Sequence, residues 1–263
     1  MMLLRVVTAE LRKTITLPGS LVAIAAALVG SLGVTFLNSS YARAAISGDP
    51  RFAGFDTSPV ETAFAAAPLG LVGAVILGVV AFSGEYTANS TDAGGGRQIT
   101  ATLTAVPRRL TVLVAKAITV VGLIVAMALV TVGLCIAVAH VVTGPGATVS
   151  DPADTVPRLL GVAVYWSLMG LIALAITVLT RNGIAPLIVL ITNSSVVSVP
   201  ILLTNLTSLA YWLPDLAGMR LFARESWGMV NDALDPLTGG LVMAAWSLGL
   251  LAVSAVVFAR RDA

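Results

Sequence analysis

Six long stretches of this sequence contain no Asp, Glu, Lys or Arg, and they constrain the fold more than any other feature. They cover residues 14–42, 62–84, 117–150, 159–180, 182–214 and 236–259, and each holds at least 20 mostly apolar residues. About 20 helical residues cross a hydrocarbon core of about 30 Å. The stretches are continuously apolar rather than alternating, which excludes a transmembrane β-barrel. We therefore predict an all-α integral membrane protein with six transmembrane helices, at 17–37, 63–83, 116–142, 159–180, 184–204 and 239–259.

The composition excludes a water-soluble globular protein. Only 11% of the 263 residues are charged and the mean hydropathy is +0.98, whereas about 25% of the residues of a soluble domain are charged. The net charge of +2 is not gathered on one segment, so we do not predict nucleic acid as a partner. The predicted partner is membrane lipid. The single cysteine, Cys135, excludes an intrachain disulfide. We expect one transmembrane domain over residues 1–263.

The distribution of basic residues predicts the orientation. If the N-terminus is cytoplasmic, ten of the 15 Lys and Arg residues fall on the inner side, namely Arg5, Arg12, Lys13, Arg97, Arg108, Arg109, Lys116, Arg181, Arg260 and Arg261. Basic residues concentrate on the cytoplasmic side of membrane proteins. Both termini are therefore predicted to be cytoplasmic. The preference for Arg over Lys, with abundant Ala, Gly and Val, is typical of a GC-rich bacterium, so the expected location is a bacterial inner (plasma) membrane.

A short amphipathic helix is predicted before the first span, over residues 1–15. Its apolar residues recur at helical spacing, whereas Arg5, Thr8 and Arg12 occupy another face; the apolar set is Leu4, Val7, Leu11 and Ile15. Such a helix lies along a membrane surface. The alternative is that these cations only orient the first span.

The longest predicted cytoplasmic loop, residues 84–115, contains the most specific pattern. It opens with Glu85 and Tyr86, passes through a Thr-rich and Gly-rich segment, and reaches Pro107 followed by two arginines. Proline is favoured at the first position of a helix and the segment before it must end there. We predict a short helix at about 98–105 that lies parallel to the membrane and turns directly into the third span. Alternatively, Arg108 and Arg109 are ordinary membrane anchors.

The order Glu85-Tyr86, a Thr-rich segment, Leu103-Thr-Ala-Val-Pro-Arg-Arg109 and then Lys116 resembles the loop between the second and third helices of type 2 ABC transporter permeases. The resemblance implies that the short helix is a coupling helix that docks on a separate ATPase, and that Glu85 and Tyr86 belong to a gate. It also implies re-entrant outer helices within 205–238. The implied coupling residues are Arg97, Gln98, Ile99, Thr102, Leu103, Pro107, Arg108 and Arg109.

The resemblance further implies the partners. They are two copies of an ABC ATPase, which carry ATP and Mg, and a second permease copy in a homodimer or related heterodimer. The sequence agrees that the energy source lies elsewhere, because neither of its two lysines, Lys13 and Lys116, follows the Gly-rich spacing of a phosphate-binding loop. No cofactor, metal or catalytic residue is therefore predicted on this chain.

Within the predicted spans, the sole ionisable side chain away from the ends is His140, which we interpret as interfacial. Ion-coupled transporters usually carry intramembrane charges, so their absence favours a partner-driven mechanism. Two features predict helix contacts: a small-residue face on the second span and a polar run in the fifth. We assign them to the translocation path or a dimer seam, with ordinary helix contacts as the alternative; the residues are Gly70, Ala74, Gly78, Thr192, Asn193, Ser195 and Ser198.

The resulting functional prediction is the membrane-spanning permease subunit of an ATP-driven ABC exporter, not an enzyme by itself. The main alternative is a non-transport membrane protein, such as an assembly or immunity factor. An ion-coupled secondary transporter is a further alternative.

Overall fold

The computed structural model describes residues 2–86, 98–192, 199–223 and 234–260, and this part of the chain is helical without β-strands. One-turn 3-10 helices occur at Pro50–Phe52, Gly84–Tyr86 and Ser208–Trp212. The α-helices are α1 (Met2–Thr16), α2 (Pro18–Ile46), α3 (Pro59–Phe64), α4 (Ala67–Ser83), α5 (Gln98–Ala105), α6 (Arg109–Thr143), α7 (Pro152–Thr180), α8 (Ile184–Ile191), α9 (Val199–Thr204), α10 (Pro214–Met219) and α11 (Pro236–Arg260).

Five segments are long and apolar enough to cross a membrane: Pro18–Ile46, Pro59–Tyr86, Arg109–Thr143, Pro152–Thr180 and Pro236–Arg260. They indicate a membrane protein and correspond to five of the six predicted spans, and the described part of the chain is all-helical, as predicted. Most are longer than predicted, because a charged residue ends an apolar stretch but not a helix. Helix α7, for example, continues past Arg158 and begins only after Asp151. Asp151 caps the helix by accepting a hydrogen bond of 2.8 Å from the Ala153 amide.

The predicted fifth span, 184–204, is not a continuous described helix. Helix α8 covers its first part and α9 its last part, while residues 193–198 lie outside the described chain. The predicted outer loop, 205–238, contains two short described helices. They are the 3-10 turn Ser208–Trp212 and α10, which packs on α7 and α11.

Helices α4 and α7 form the centre of the bundle. In the most apolar windows of their segments, 67% and 78% of the residues are buried, against 28% for α2, 39% for α6 and 22% for α11. The outer helices instead expose large apolar side chains, including Leu21 of α2, Val130 of α6 and Leu241 of α11. An apolar exterior around a packed interior is what lipid, rather than water, accepts as a neighbour.

The small-residue face of α4 packs closely against α7. A Cβ atom on Gly70 would lie 2.3 Å from Cζ2 of Trp166, and one on Gly78 would lie 2.2 Å from the Gly170 carbonyl oxygen. Ala74 is completely buried between them. The predicted close approach of two helices is present. Because the covering helix belongs to the same chain, this face is closed to a second copy in this structure.

The contacts define two ends of the bundle. At one end, α3 and the start of α4 meet the start of α7, where Arg158 contacts Glu61; we call this the α3 end. At the other, the α5 end, Arg109 at the start of α6 donates a hydrogen bond of 3.2 Å to the carbonyl of Phe258, near the end of α11. The α1–α2 junction and the turn after α7 also lie at the α5 end.

Candidate functional site

Helix α5 has the bounds predicted from the sequence and leads directly into α6. Ile99 is 1% exposed and Leu103 is half-buried, and both contact the hydrophobic core. Three residues, Val106 to Arg108, separate the end of α5 from the start of α6. The opposite face of α5 is solvent-exposed and consists of small uncharged residues: Thr100, Ala101, Thr104 and Ala105. Helix α5 therefore has one face held by the protein and one face open.

A buried ion cluster lies directly behind α5, and Glu85 is its centre. The Glu85 cluster consists of Glu10, Lys13, Glu85, Thr102 and Lys116. One Glu85 oxygen contacts the ammonium groups of Lys13 and Lys116, the latter at 2.8 Å. Its other oxygen accepts a hydrogen bond of 3.0 Å from the Thr102 hydroxyl on α5. Glu85 itself is 1% exposed.

Lys116 completes this cluster from α6. Its Nζ lies 2.7 Å from Oε2 of Glu10 and donates a hydrogen bond of 2.9 Å to the carbonyl of Ala81. Together with Glu85, these partners satisfy the three N–H donors of an ammonium group. Although Lys116 stands at the start of the predicted third span, its side chain is buried and only 1% exposed. Helix α1 packs on α6 and covers it, which the residues around Lys116 could not reveal.

The Glu85 cluster joins four elements that are distant in sequence: α1, the turn after α4, α5 and α6. Two carboxylates face two ammonium groups, so the buried charges balance. Removing one member of such a group leaves an uncompensated buried charge, which is strongly destabilising. The cluster therefore makes the position of α5 depend on α1, α4 and α6 together.

The other predicted gate and coupling residues have different surroundings. Tyr86 packs on Phe82 with ring centroids 5.6 Å apart, and Cζ of Arg181 lies 5.4 Å from its ring centroid. Gln98 is half-buried at the start of α5, while Pro107 and Arg108 are exposed. Arg97 lies outside the described residues.

Several predicted coupling residues thus face the protein rather than a partner. Ile99, Thr102 and Leu103 hold α5 in place, and Arg109 fixes the end of α11. The exposed residues Ala101 and Thr104 were not among the predicted coupling residues. The apolar pair Ile99 and Leu103, four residues apart, was the available signal for the inner face.

The polar residues assigned to the path or dimer seam are only partly described. Thr192 is exposed at the end of α8. Asn193, Ser195 and Ser198 lie outside the described residues. The three small residues of α4 are covered by α7, as described above.

A second buried ion cluster lies at the α3 end, around Arg158. The Arg158 guanidinium contacts both Glu61 oxygens, at 2.6 and 2.9 Å, and donates a hydrogen bond of 2.7 Å to the carbonyl of Phe222. The Cζ atom of Arg158 lies 4.3 Å from the ring centroid of Phe64, and its Nη1 atom lies 3.3 Å from Oδ2 of Asp154. Glu61 and Arg158 stand just before the predicted spans 63–83 and 159–180, but each is only 6% exposed. Both lie in helices, α3 and α7, whose ends extend beyond the apolar stretches.

Known proteins do not supply an identification. Neither the models of known protein families nor the curated proteins match this sequence. Within the described residues, no three His, Cys, Asp or Glu side chains are grouped to hold a metal ion. We therefore base the proposed function on the geometry of the α5 end.

Proposed function

We propose that this chain is the membrane-spanning permease subunit of an ATP-driven ABC exporter, which works as a dimer with two copies of a separate ATPase. One observation carries the proposal. A short helix with an open outer face is tied by its inner face to a buried ion cluster and continues directly into a long apolar helix.

This arrangement can transmit a movement. A partner that displaces α5 acts on α6 through the three-residue link before Arg109. It acts on α1 and α4 through the bond between Thr102 and Glu85, because Glu85 also contacts Lys13 and Lys116. Buried contacts of this kind have discrete arrangements rather than a continuous range, so a small displacement can switch several helices together.

The proposal includes a sixth crossing, made by the segment between α7 and α11. Helix α8 begins at the α5 end, where Gly183 lies beside Ser83 of α4. Phe222 lies at the α3 end, where its carbonyl accepts a hydrogen bond from Arg158. In the proposal, the chain between them crosses from one end of the bundle to the other. Both termini then share the α5 end, which we place in the cytoplasm of a bacterial cell because basic residues are concentrated there.

The buried charges bear on the alternative of ion-coupled transport. Each described cluster is closed by its own opposite charges and lies at one end of the bundle. Between Glu61 and Glu85 the chain is uncharged for 23 residues. A proton or ion relay would need polar groups across this distance. The separation therefore supports a mechanism driven through α5.

Docking on α5 can be tested with Ala101→Glu. The substitution places a charge on the open face and removes no contact of a buried side chain. We expect the variant to fold but to lose most of its binding to the ABC ATPase encoded beside its gene, measured by co-purification and ATPase activity. Ala53→Glu makes the same change at an exposed position at the other end and should bind normally.

Two results would overturn the proposal. One is normal ATPase binding and activity with Ala101→Glu. The other is the absence of any neighbouring reading frame that encodes an ATPase with a phosphate loop, which would favour an assembly or immunity factor.

A further inference from the structure

A pocket of about 410 Å³ opens at the α5 end, beside but separate from the Glu85 cluster. It lies between the last turns of α4, the α1–α2 junction and the turn that joins α7 to α8. Ligand pockets in proteins typically measure about 300–1,000 Å³, so its size suits a lipid headgroup and its first methylene groups. No part of the proposed transport mechanism uses this pocket.

The walls and the mouth of the pocket differ chemically. Leu17, Val79, Val80, Ile184 and Leu187 provide apolar walls. The polar lining residues include Arg181 and Asn182 on the turn after α7. A site that is apolar on one side and cationic on the other matches an amphiphile whose head is an anion.

Arg181 is held at this site by an unusual backbone. Its φ is 53° and ψ is 22°, and among the described residues it is the one non-glycine residue with a positive φ. Glycine is the usual residue at this position after a helix, because other side chains are strained there. The Cζ atom of Arg181 lies 5.4 Å from the ring centroid of Tyr86, so this contact also holds the side chain beside the pocket.

The neighbouring groups add to the attraction for an anion. The Asn182 side-chain oxygen accepts a hydrogen bond of 2.8 Å from the Ile184 amide, which leaves its NH₂ group as the part that can serve a ligand. Helix α8 begins at the pocket, and the start of a helix carries a partial positive charge. Next to the pocket, Ile184 and Ile188 of α8 are more than 60% exposed, so the apolar surface continues outward.

From this juxtaposition we infer that the pocket binds an acidic glycerophospholipid of the adjacent leaflet. Its phosphate lies against Arg181 and Asn182, and its acyl chains run along the walls formed by α4 and α8. The bound lipid then connects the end of α4 to the turn between α7 and α8. The inference does not depend on transport, because it requires only that this end of the bundle meets a membrane surface.

The test follows thermal unfolding of the full chain in detergent during titration with phosphatidylglycerol. A ligand that binds the folded state raises the unfolding temperature with increasing concentration. We expect such a rise with phosphatidylglycerol, and little with phosphatidylcholine or with inorganic phosphate alone. In Arg181→Gln the half-saturating concentration should increase at least about tenfold. Arg51→Gln, which removes an exposed charge at the other end, should leave it unchanged.

A second variant blocks the pocket without changing its charge. Gly84 lines the pocket, and a Cβ atom there would meet no atom within 4 Å. Gly84→Leu should therefore fold and weaken the phosphatidylglycerol response, whereas Gly122→Leu, at an equally open position on α6, should not. Comparing Gly84→Leu with Gly122→Leu tests whether phosphatidylglycerol binds in this pocket even if Arg181→Gln does not fold.

Arg181→Gly separates binding from a purely structural role. Glycine relieves the strained backbone, so the lipid-free unfolding temperature should stay the same or rise while the phosphatidylglycerol response is lost. The inference is overturned if the responses of Arg181→Gln and Gly84→Leu equal that of the native chain. It is equally overturned if phosphatidylcholine or free phosphate acts as strongly as phosphatidylglycerol.

Discussion

The two ends of α4 are both closed by buried ions, but the two clusters are built from different cations. At the α3 end a guanidinium grips both oxygens of Glu61, lies over the ring of Phe64 and binds the carbonyl of Phe222. At the α5 end two lysines surround Glu85. A planar guanidinium fixes its partners in one geometry, whereas an ammonium is a compact point charge on a flexible stem. The Arg158 cluster therefore suits a fixed end of the molecule.

The Glu85 cluster suits an end whose elements change position. Its members come from four separate elements, including the short helix α5, and Lys13 keeps a 24% exposed side chain. Two ammonium groups can exchange carboxylate partners without a loss of balanced charge. Between the clusters, α4 is an uncharged helix of 17 residues, about 25 Å long, packed tightly on α7. It can carry a displacement from one end without bending.

The contrast between the two clusters predicts that the largest loss of stability follows a substitution at the α3 end. Arg158→Met removes the cation that faces Glu61, and the buried carboxylate keeps its charge. Breaking a buried ion pair in this way costs about 3–5 kcal/mol. Lys116→Met should cost less, about 1–3 kcal/mol, because one cation, Lys13, remains in the cluster to offset part of the charge of Glu10 and Glu85. Unfolding of both variants in detergent by heat or denaturant measures the difference.

A double variant shows whether the unpaired charge is the cause. Glu61→Gln combined with Arg158→Met should regain part of the lost stability, since no charge is then left buried. If Lys116→Met proves as destabilising as Arg158→Met, the second lysine does not compensate and the proposed contrast between the clusters is wrong.

The sequence predicted the helices well because lipid imposes a simple rule on them. Long uncharged stretches located five of the spans, and Pro107 located α5 within its observed bounds. The fifth predicted span is described only at its two ends, as α8 and α9, and its middle stays a prediction. Helix ends were also misplaced where charges such as Arg158 continue a helix into the protein interior.

The ion clusters could not be predicted in the same way. Glu10 and Lys116 are 106 positions apart, and Glu61 and Arg158 are 97 apart. Glu61, Lys116 and Arg158 each stand at the border of an apolar stretch, where solvation by water or headgroups is the ordinary expectation. Their burial arises when α1 folds over α6 and when α3 packs inside the bundle. Such long-range contacts have no local signature in one sequence.

A smaller effect is expected from Thr102→Val, which keeps the shape of the side chain but removes the hydroxyl bonded to Glu85. Losing one hydrogen bond to a buried charged group costs about 1–3 kcal/mol. We expect a modest loss of stability and, in the complex with the ATPase, a larger loss of ATP-driven transport. Thr8→Val is the matched control, because its hydroxyl bonds to the Leu4 carbonyl within α1 at 2.9 Å and is exposed. Equal transport by the two variants would show that the bond to Glu85 does not transmit movement.

The smallest effect is expected from an ion pair at the surface, between Asp49 and Arg51. Hydrogen bonds from the Arg51 side chain and amide lower the pKa of the Asp49 carboxyl. Because this pKa is lower in the folded chain than in the unfolded one, the contribution to stability is present above about pH 4 and is lost as the pH falls through the lowered value. Asp49→Asn keeps an acceptor for the Arg51 amide and removes the charge, so it should lower the unfolding temperature by less than about 2 °C at pH 7. The difference should disappear at acidic pH and shrink in high salt, since exposed pairs are screened by water and ions. A shift as large as that of Arg158→Met would mean that charge pairing alone, and not burial, sets the strength of the clusters at the two ends of α4.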